Sequence, residues 1–147
     1  MAAAEFVTMG ESGTHAELVT ALIAYADAEF GGLANVSVRH DAVRPLRGER
    51  PPRVNGYVPD VYATDVPTTA TLIGEAKTRV DLETDHTRKQ IQAFLFYLSQ
   101  TPNGIFALSV PLAAAMTARR LLLEMKASFP ATQTRTVVLD GVGVKVC

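Results

Sequence analysis

The sequence predicts an α/β fold in which a mixed central sheet is flanked by helices, and three observations carry that prediction. Three stretches repeat apolar residues at helical spacing. Several shorter stretches alternate, or stay apolar, over strand length, and the two kinds interleave along the chain.

Residues 1–13 are small, polar and Gly-containing, and read as a flexible lead-in, with a single domain over 14–147. From Thr14 onward Val19, Leu22, Ile23, Ala26 and Phe30 recur at helical spacing until Gly31-Gly32 breaks the run. Val36 to Arg39 is a short alternating strand. The stretch from there to Gly56 holds Pro45, Gly48, Pro51 and Pro52, which cannot continue regular structure, so it reads as a loop or ragged hairpin. Tyr57–Thr64 is the second strand and Thr71–Lys77 the third, with Asp65-Val66-Pro67-Thr68 turning between them. A second helix runs from about Thr84 to Ser99, with Thr87, Ile91, Phe94, Leu95 and Leu98 on its buried stripe. Ile105–Val110 is a nearly continuous apolar run, as expected of a central strand covered on both faces. Pro111–Phe129 reads as a third helix and Arg135–Val146 as one or two strands broken at Asp140-Gly141, giving the order αβββαβαβ.

With 147 residues, 48% of them hydrophobic, the chain can bury one real core and not two. Its formal net charge of −1 argues against coating nucleic acid by bulk electrostatics, though a local basic patch can still grip a backbone. Cys147 is the only cysteine, which leaves no intrachain disulfide and no thiolate metal cluster and fits a reducing compartment. The start lacks the basic and apolar regions of a leader, and no apolar run is long enough for a membrane span, so a cytoplasmic protein with no membrane partner is expected. There is no Gly-rich phosphate loop, nucleophile elbow or Cys/His zinc spacing, which sets aside nucleotide-driven motors, serine hydrolases and zinc enzymes.

Strand alternation sends Thr71, Ile73, Glu75 and Lys77 to one face, and groups Val58, Asp60 and Tyr62 on the preceding strand. If the two strands pair, Asp60 meets Glu75. Magnesium takes oxygen ligands, usually one or two carboxylates with water or phosphate in the other positions. Asp60 and Glu75 supply such a pair, and the backbone carbonyl of Ala76 offers a third oxygen. The Lys77 ammonium is then placed to orient a water or stabilise negative charge.

Pro59-Asp60, fourteen intervening residues, then Glu75-Ala76-Lys77 resembles the PD-(D/E)XK signature of the restriction endonuclease-like nucleases. The resemblance covers roughly residues 14–111 and implies the αβββαβ core of that superfamily, with the third helix and terminal strands as an extension. It further implies a magnesium-dependent phosphodiesterase, manganese being a possible substitute, with Asp60, Glu75 and the Ala76 carbonyl as metal ligands and Lys77 as the catalytic lysine. Several families of this fold carry a glutamine on the helix after the signature, and Gln90 looks like its match, in the water and phosphate network. The expected substrate is nucleic acid, DNA before RNA.

Four further features bear on that expectation. His86, Gln90, Ala93 and Tyr97 form one helical stripe beside the apolar face, where His86 reads more simply as surface than as an acid or base. Glu17 is a potential further carboxylate, but Thr14-His15-Ala16-Glu17 is a capping-box pattern that explains it without catalysis. Arg39, Arg44, Arg47, Arg50 and Arg53 gather positive charge ahead of the first carboxylate and form the expected phosphate-backbone patch. Phe96 falls on the polar side of its helix, which points to a partner surface, a homodimer among the options, or to cover by the C-terminal segment. The alternatives to a nuclease are a non-cleaving nucleic-acid-binding subunit of the same fold, and an α/β interaction domain in which the motif is accidental.

Overall fold

Alternation between one helix-covered face and the other organises the sheet, and it can be followed strand by strand in the computed structural model. The structure describes residues 2–32, 35–39, 50–65, 67–129 and 133–147, with side chains from Thr14 on. Helix α1 spans Ala2–Glu29 and strand β1 Asn35–Val38. Strands β2 (Val61–Thr64) and β3 (Thr71–Ala76) follow, then helices α2 (Arg79–Leu82) and α3 (Asp85–Ser99). Strand β4 (Gly104–Ser109) leads through a 3-10 turn at Leu112–Ala114 into α4 (Ala115–Lys126), and β5 (Arg135–Leu139) and β6 (Val144–Val146) end the chain.

The six strands lie in sequence order in one sheet. The β1–β2, β2–β3 and β5–β6 pairs are antiparallel, whereas β3–β4 and β4–β5 are parallel. Each parallel step is crossed by helix, as parallel connections require. Leu72, Ala76, Ile105, Ala107, Val137 and Leu139 pack with Val19, Leu22 and Ala26 of α1 on one face. Ile73, Phe106, Leu108 and Val138 pack with Ile91, Phe94, Leu98, Leu121 and Leu122 of α3 and α4 on the other. Strand β4 sits inside the sheet and is buried along its whole length, which is why its sequence is apolar throughout rather than alternating.

Four details differ from the sequence expectation. Helix α1 begins at Ala2 rather than Thr14, so 2–13 is helical rather than a lead-in, as its Ala-rich start favours. Thr14–Glu17 therefore lies within the helix and does not cap it, and Glu17 is simply exposed. Strand β2 begins at Val61 because Tyr57 is already committed to a bridge with Val54, closed by Asn55 and Gly56 at positive φ, and Pro59 has no N–H to give a ladder. Helix α2 is an added turn, held by a reciprocal cap between Thr78 and Asp81.

The turn between β2 and β3 is set by Asp65, whose Oδ1 accepts from the backbone N–H of Thr69 (2.6 Å) and of Ala70 (2.8 Å). Among the described residues no helix is long and apolar enough to cross a membrane.

Candidate active site

Register is what brings the two carboxylates together. Val61 pairs with Gly74 in the antiparallel β2–β3 ladder, so the next step along places Asp60 beside Glu75. The backbone N–H of Asp60 donates to Glu75 Oε1 at 3.2 Å, and the N–H of Ala76 donates to Asp60 Oδ2 at 2.9 Å. Each carboxylate thus completes the ladder of the other strand. Both are almost wholly buried, at 2% and 1% exposure.

The Lys77 ammonium lies 3.8 Å from Glu75 Oε2 and donates to Gln90 Oε1 at 2.7 Å. Gln90 is itself buried on α3, so the helix fixes the amide and the amide fixes the lysine. The Lys77 backbone N–H donates to the carbonyl of Ser109 at 3.0 Å, which anchors the end of β3 to the end of β4. Asp60, Glu75, Lys77 and Gln90, singled out by the sequence, therefore converge at one end of the sheet.

Two residues read from the sequence in other roles join them. Arg39 was expected in the phosphate-backbone patch. Its guanidinium instead donates to the Val58 carbonyl and lies 3.6 Å from Asp60 Oδ1, and its backbone N–H donates to the Asp60 carbonyl at 2.8 Å. His15, read only as part of a cap, brings Nε2 within 3.9 Å of the same Asp60 oxygen. The sequence holds one signal for His15: it lies seven residues, two helical turns, before Leu22 on the buried stripe of α1.

Gly74 is what lets that helix come close. A Cβ built there would fall 2.9 Å from Leu22 Cδ2, so any larger residue would meet α1 directly behind Glu75.

Burial, with the Asp60 carboxylate adding to it, pushes the Glu75 carboxyl well above its ordinary range, and the Lys77 ammonium only partly offsets this. Further down the same face the hydroxyls of Tyr62 and Tyr97 meet at 3.2 Å, and burial together with that contact pushes Tyr62 up to about 12. Tyr97 thus serves the packing beneath the site.

Other expected residues lie apart. His86 is exposed, with its ring edge-on to Tyr57 at 5.7 Å. Arg50 is exposed, Arg53 donates to the Gly56 carbonyl at 3.0 Å, and Arg44 and Arg47 lie outside the described residues.

Among the described residues Asp60 Oδ1 is buried without a hydrogen-bond partner. An orphaned carboxylate oxygen is costly unless something positive completes it, and the Arg39 and His15 nitrogens stand beyond hydrogen-bond range. Among the described residues no three His, Cys, Asp or Glu side chains cluster to hold a metal ion. What is present is two carboxylates, one with a lone pair to spare, which is the donor set a magnesium ion takes when water and phosphate fill its remaining positions. The residues fit such an ion.

No protein-family model matches this chain, and neither a curated protein nor a solved structure does.

Proposed function

We propose that this chain is a metal-dependent nuclease of the PD-(D/E)XK type, hydrolysing phosphodiester bonds in nucleic acid, with DNA the first substrate to test. The observation that carries the reading is the cross-strand pairing of Asp60 with Glu75, with Lys77 two residues on and held by Gln90. The sheet supports it too: three antiparallel strands after α1, a helical crossover, then a parallel strand, accommodate the αβββαβ order.

Asp60 and Glu75 would hold the ion, with the Ala76 carbonyl as a further oxygen donor. A bound Mg²⁺, or Mn²⁺ in its place, supplies charge neutralisation at the phosphate and acidifies water near neutral pH. The chain's own residues do the rest. Lys77 Nζ orients the attacking water and stabilises charge growing on the phosphate oxygens. Gln90 holds that ammonium in place by accepting its hydrogen bond while it stays 3.8 Å from Glu75. Arg39 balances the negative charge of Asp60 from the side of β1. Water gives up a proton to solvent as its oxygen adds to phosphorus, the P–O bond to the leaving group breaks, and the departing oxygen takes up a proton from solvent.

The test is cleavage of branched, duplex and single-stranded DNA and of RNA by purified protein with Mg²⁺ or Mn²⁺, and again with EDTA. Cation-dependent cleavage that is lost in Lys77→Ala is the expected result. Full activity in Lys77→Ala overturns the mechanism, and nucleic-acid binding with no cleavage under any condition overturns the activity in favour of a non-cleaving subunit.

A further inference from the structure

One side of α3, the Val54–Tyr57 turn and Phe129 form an open cleft of about 390 Å³ lined by Asn55, Lys89, Gln92, Ala93, Phe96 and Phe129. The elements that line it also lead to the proposed site. Lys89 is adjacent to Gln90 on α3, and the turn that carries Asn55 runs directly on to Asp60. Phe96 is 52% exposed, although a large apolar ring normally prefers cover. Its only ring neighbour among the described residues is Phe129, with centroids 6.5 Å apart and planes at 54°. That geometry leaves a Phe96 face for another flat ring.

The polar lining is equally specific. Asn55 Nδ2 is spent on the Ala93 carbonyl at 3.1 Å, leaving its Oδ1 as an acceptor. The Gln92 amide makes no hydrogen bond, and Lys89 no ion pair, among the described residues. Among the described residues no carboxylate lines the cleft. Aromatic face, two amides and one ammonium, in a space of this size, match a planar base with hydrogen-bonding edges and an attached phosphate. An acidic peptide would call for more cations, and an aliphatic chain would leave both amides unused.

We infer that this cleft is a subsite for one unpaired nucleotide of a nucleic-acid strand, its base stacked on Phe96 and its phosphate drawn to Lys89. The inference rests on the proposed nuclease reading for the strand's path, and it narrows the substrate to nucleic acid with a single-stranded stretch. Base–aromatic stacking tolerates any base, so the subsite selects for strandedness rather than sequence.

Binding in EDTA separates this subsite from catalysis. Fluorescence anisotropy is read at low salt with an oligodeoxynucleotide, an oligoribonucleotide and a blunt DNA duplex. Phe96→Ala is expected to weaken binding of single strands about 10-fold and of duplex less than about 2-fold, while Phe96→Trp restores it. Lys89→Ala is expected to lower the salt dependence of binding by about one counterion. The deoxy and ribo arms decide which sugar the subsite accepts. Equal losses for single strands and duplex, or no loss at all, overturn the subsite while leaving cation-dependent cleavage by the wild type intact. A Phe96→Ala variant that turns a dimer into a monomer in sedimentation also overturns it, assigning the cleft to contact between copies. Failure of the nuclease reading looks different: the wild type cuts nothing with Mg²⁺ or Mn²⁺, although Phe96-dependent binding persists.

Discussion

Asp60 and Glu75 are each other's backbone partners: the N–H of Asp60 donates to the Glu75 side chain, and the Asp60 side chain accepts from the N–H of Ala76, one residue beyond Glu75. The same atoms that would hold a cation therefore also close the β2–β3 ladder. Mutations there carry a structural cost as well as a functional one.

Asp60→Ala should abolish cleavage and also destabilise the protein. It leaves the buried Ala76 N–H without an acceptor, a loss of about 1–3 kcal/mol. Asp60→Asn keeps an acceptor for that N–H, so it should remain closer to wild-type stability while staying inactive. Denaturant titration beside a cleavage assay checks both, and equal stability of the two variants would remove the ladder role.

Glu75→Gln should lose activity but gain stability. The amide keeps an oxygen for the Asp60 N–H and, above the ordinary carboxylate range, avoids the cost of burying a group that is ionised when unfolded, a gain of about 1 kcal/mol, or roughly 3 °C in Tm for a domain of this size. A lower Tm than wild type at pH 8 would show that the Lys77 pairing outweighs the burial.

The pH dependence follows from the same group. Unfolded, Glu75 titrates in the ordinary carboxylate range; folded, it holds its proton to well above that range. Its contribution to stability is therefore present in full below the unfolded value and is lost as pH rises through the folded one. Asp140, which accepts from the N–H groups of Val142 and Gly143, is shifted the other way and loses its contribution as pH falls. Melting curves from pH 4 to 9 should show the wild type falling behind Glu75→Gln as pH rises, with the two alike in acid, where the glutamate is already neutral.

Gln90→Ala should release the Lys77 ammonium and lower cleavage about 10- to 100-fold, the range for groups that orient a catalytic side chain. Gln90→Glu keeps an oxygen for the ammonium and should recover part of the loss. Lys77→Arg should not rescue Lys77→Ala, because a planar fork does not replace a point charge in a space shaped by Gln90 and Glu75.

Gly74→Val should push Leu22, and with it α1, away from β3 at a cost of about 1–3 kcal/mol. Since α1 carries His15 to Asp60, Mn²⁺ affinity measured by calorimetry should fall in this variant and in His15→Ala alike. Unchanged affinity in both would place His15 outside the site.

The sequence made the carboxylate pair legible because strand alternation and antiparallel pairing leave little choice once Tyr57–Thr64 and Thr71–Lys77 are read as neighbours. Gln90 was legible because helical spacing put it on one stripe with Tyr97. Neither Arg39 nor His15 could be placed so, since both reach Asp60 from elements whose approach depends on tertiary packing: α1 over Gly74, and β1 against the start of β2. Helix α2 was legible in principle, Thr78 and Asp81 being a capping pair, but a single turn has no periodicity to reveal it. The early start of α1 was hidden by Gly10 and Gly13, which weaken a helix without forbidding it.

The hairpin from Asp60 to Lys77 has a kinetic consequence. Its two carboxylates are only fifteen residues apart and its turn is pinned by Asp65, so loop closure is cheap, whereas the parallel pairings on either side of β4 must wait for helical crossovers. Like charges are thus driven together early, before the surrounding layers exist to hold them. Protonating one of them should quicken refolding in mild acid, so that the buried carboxylate pair also sets the tempo at which the chain assembles.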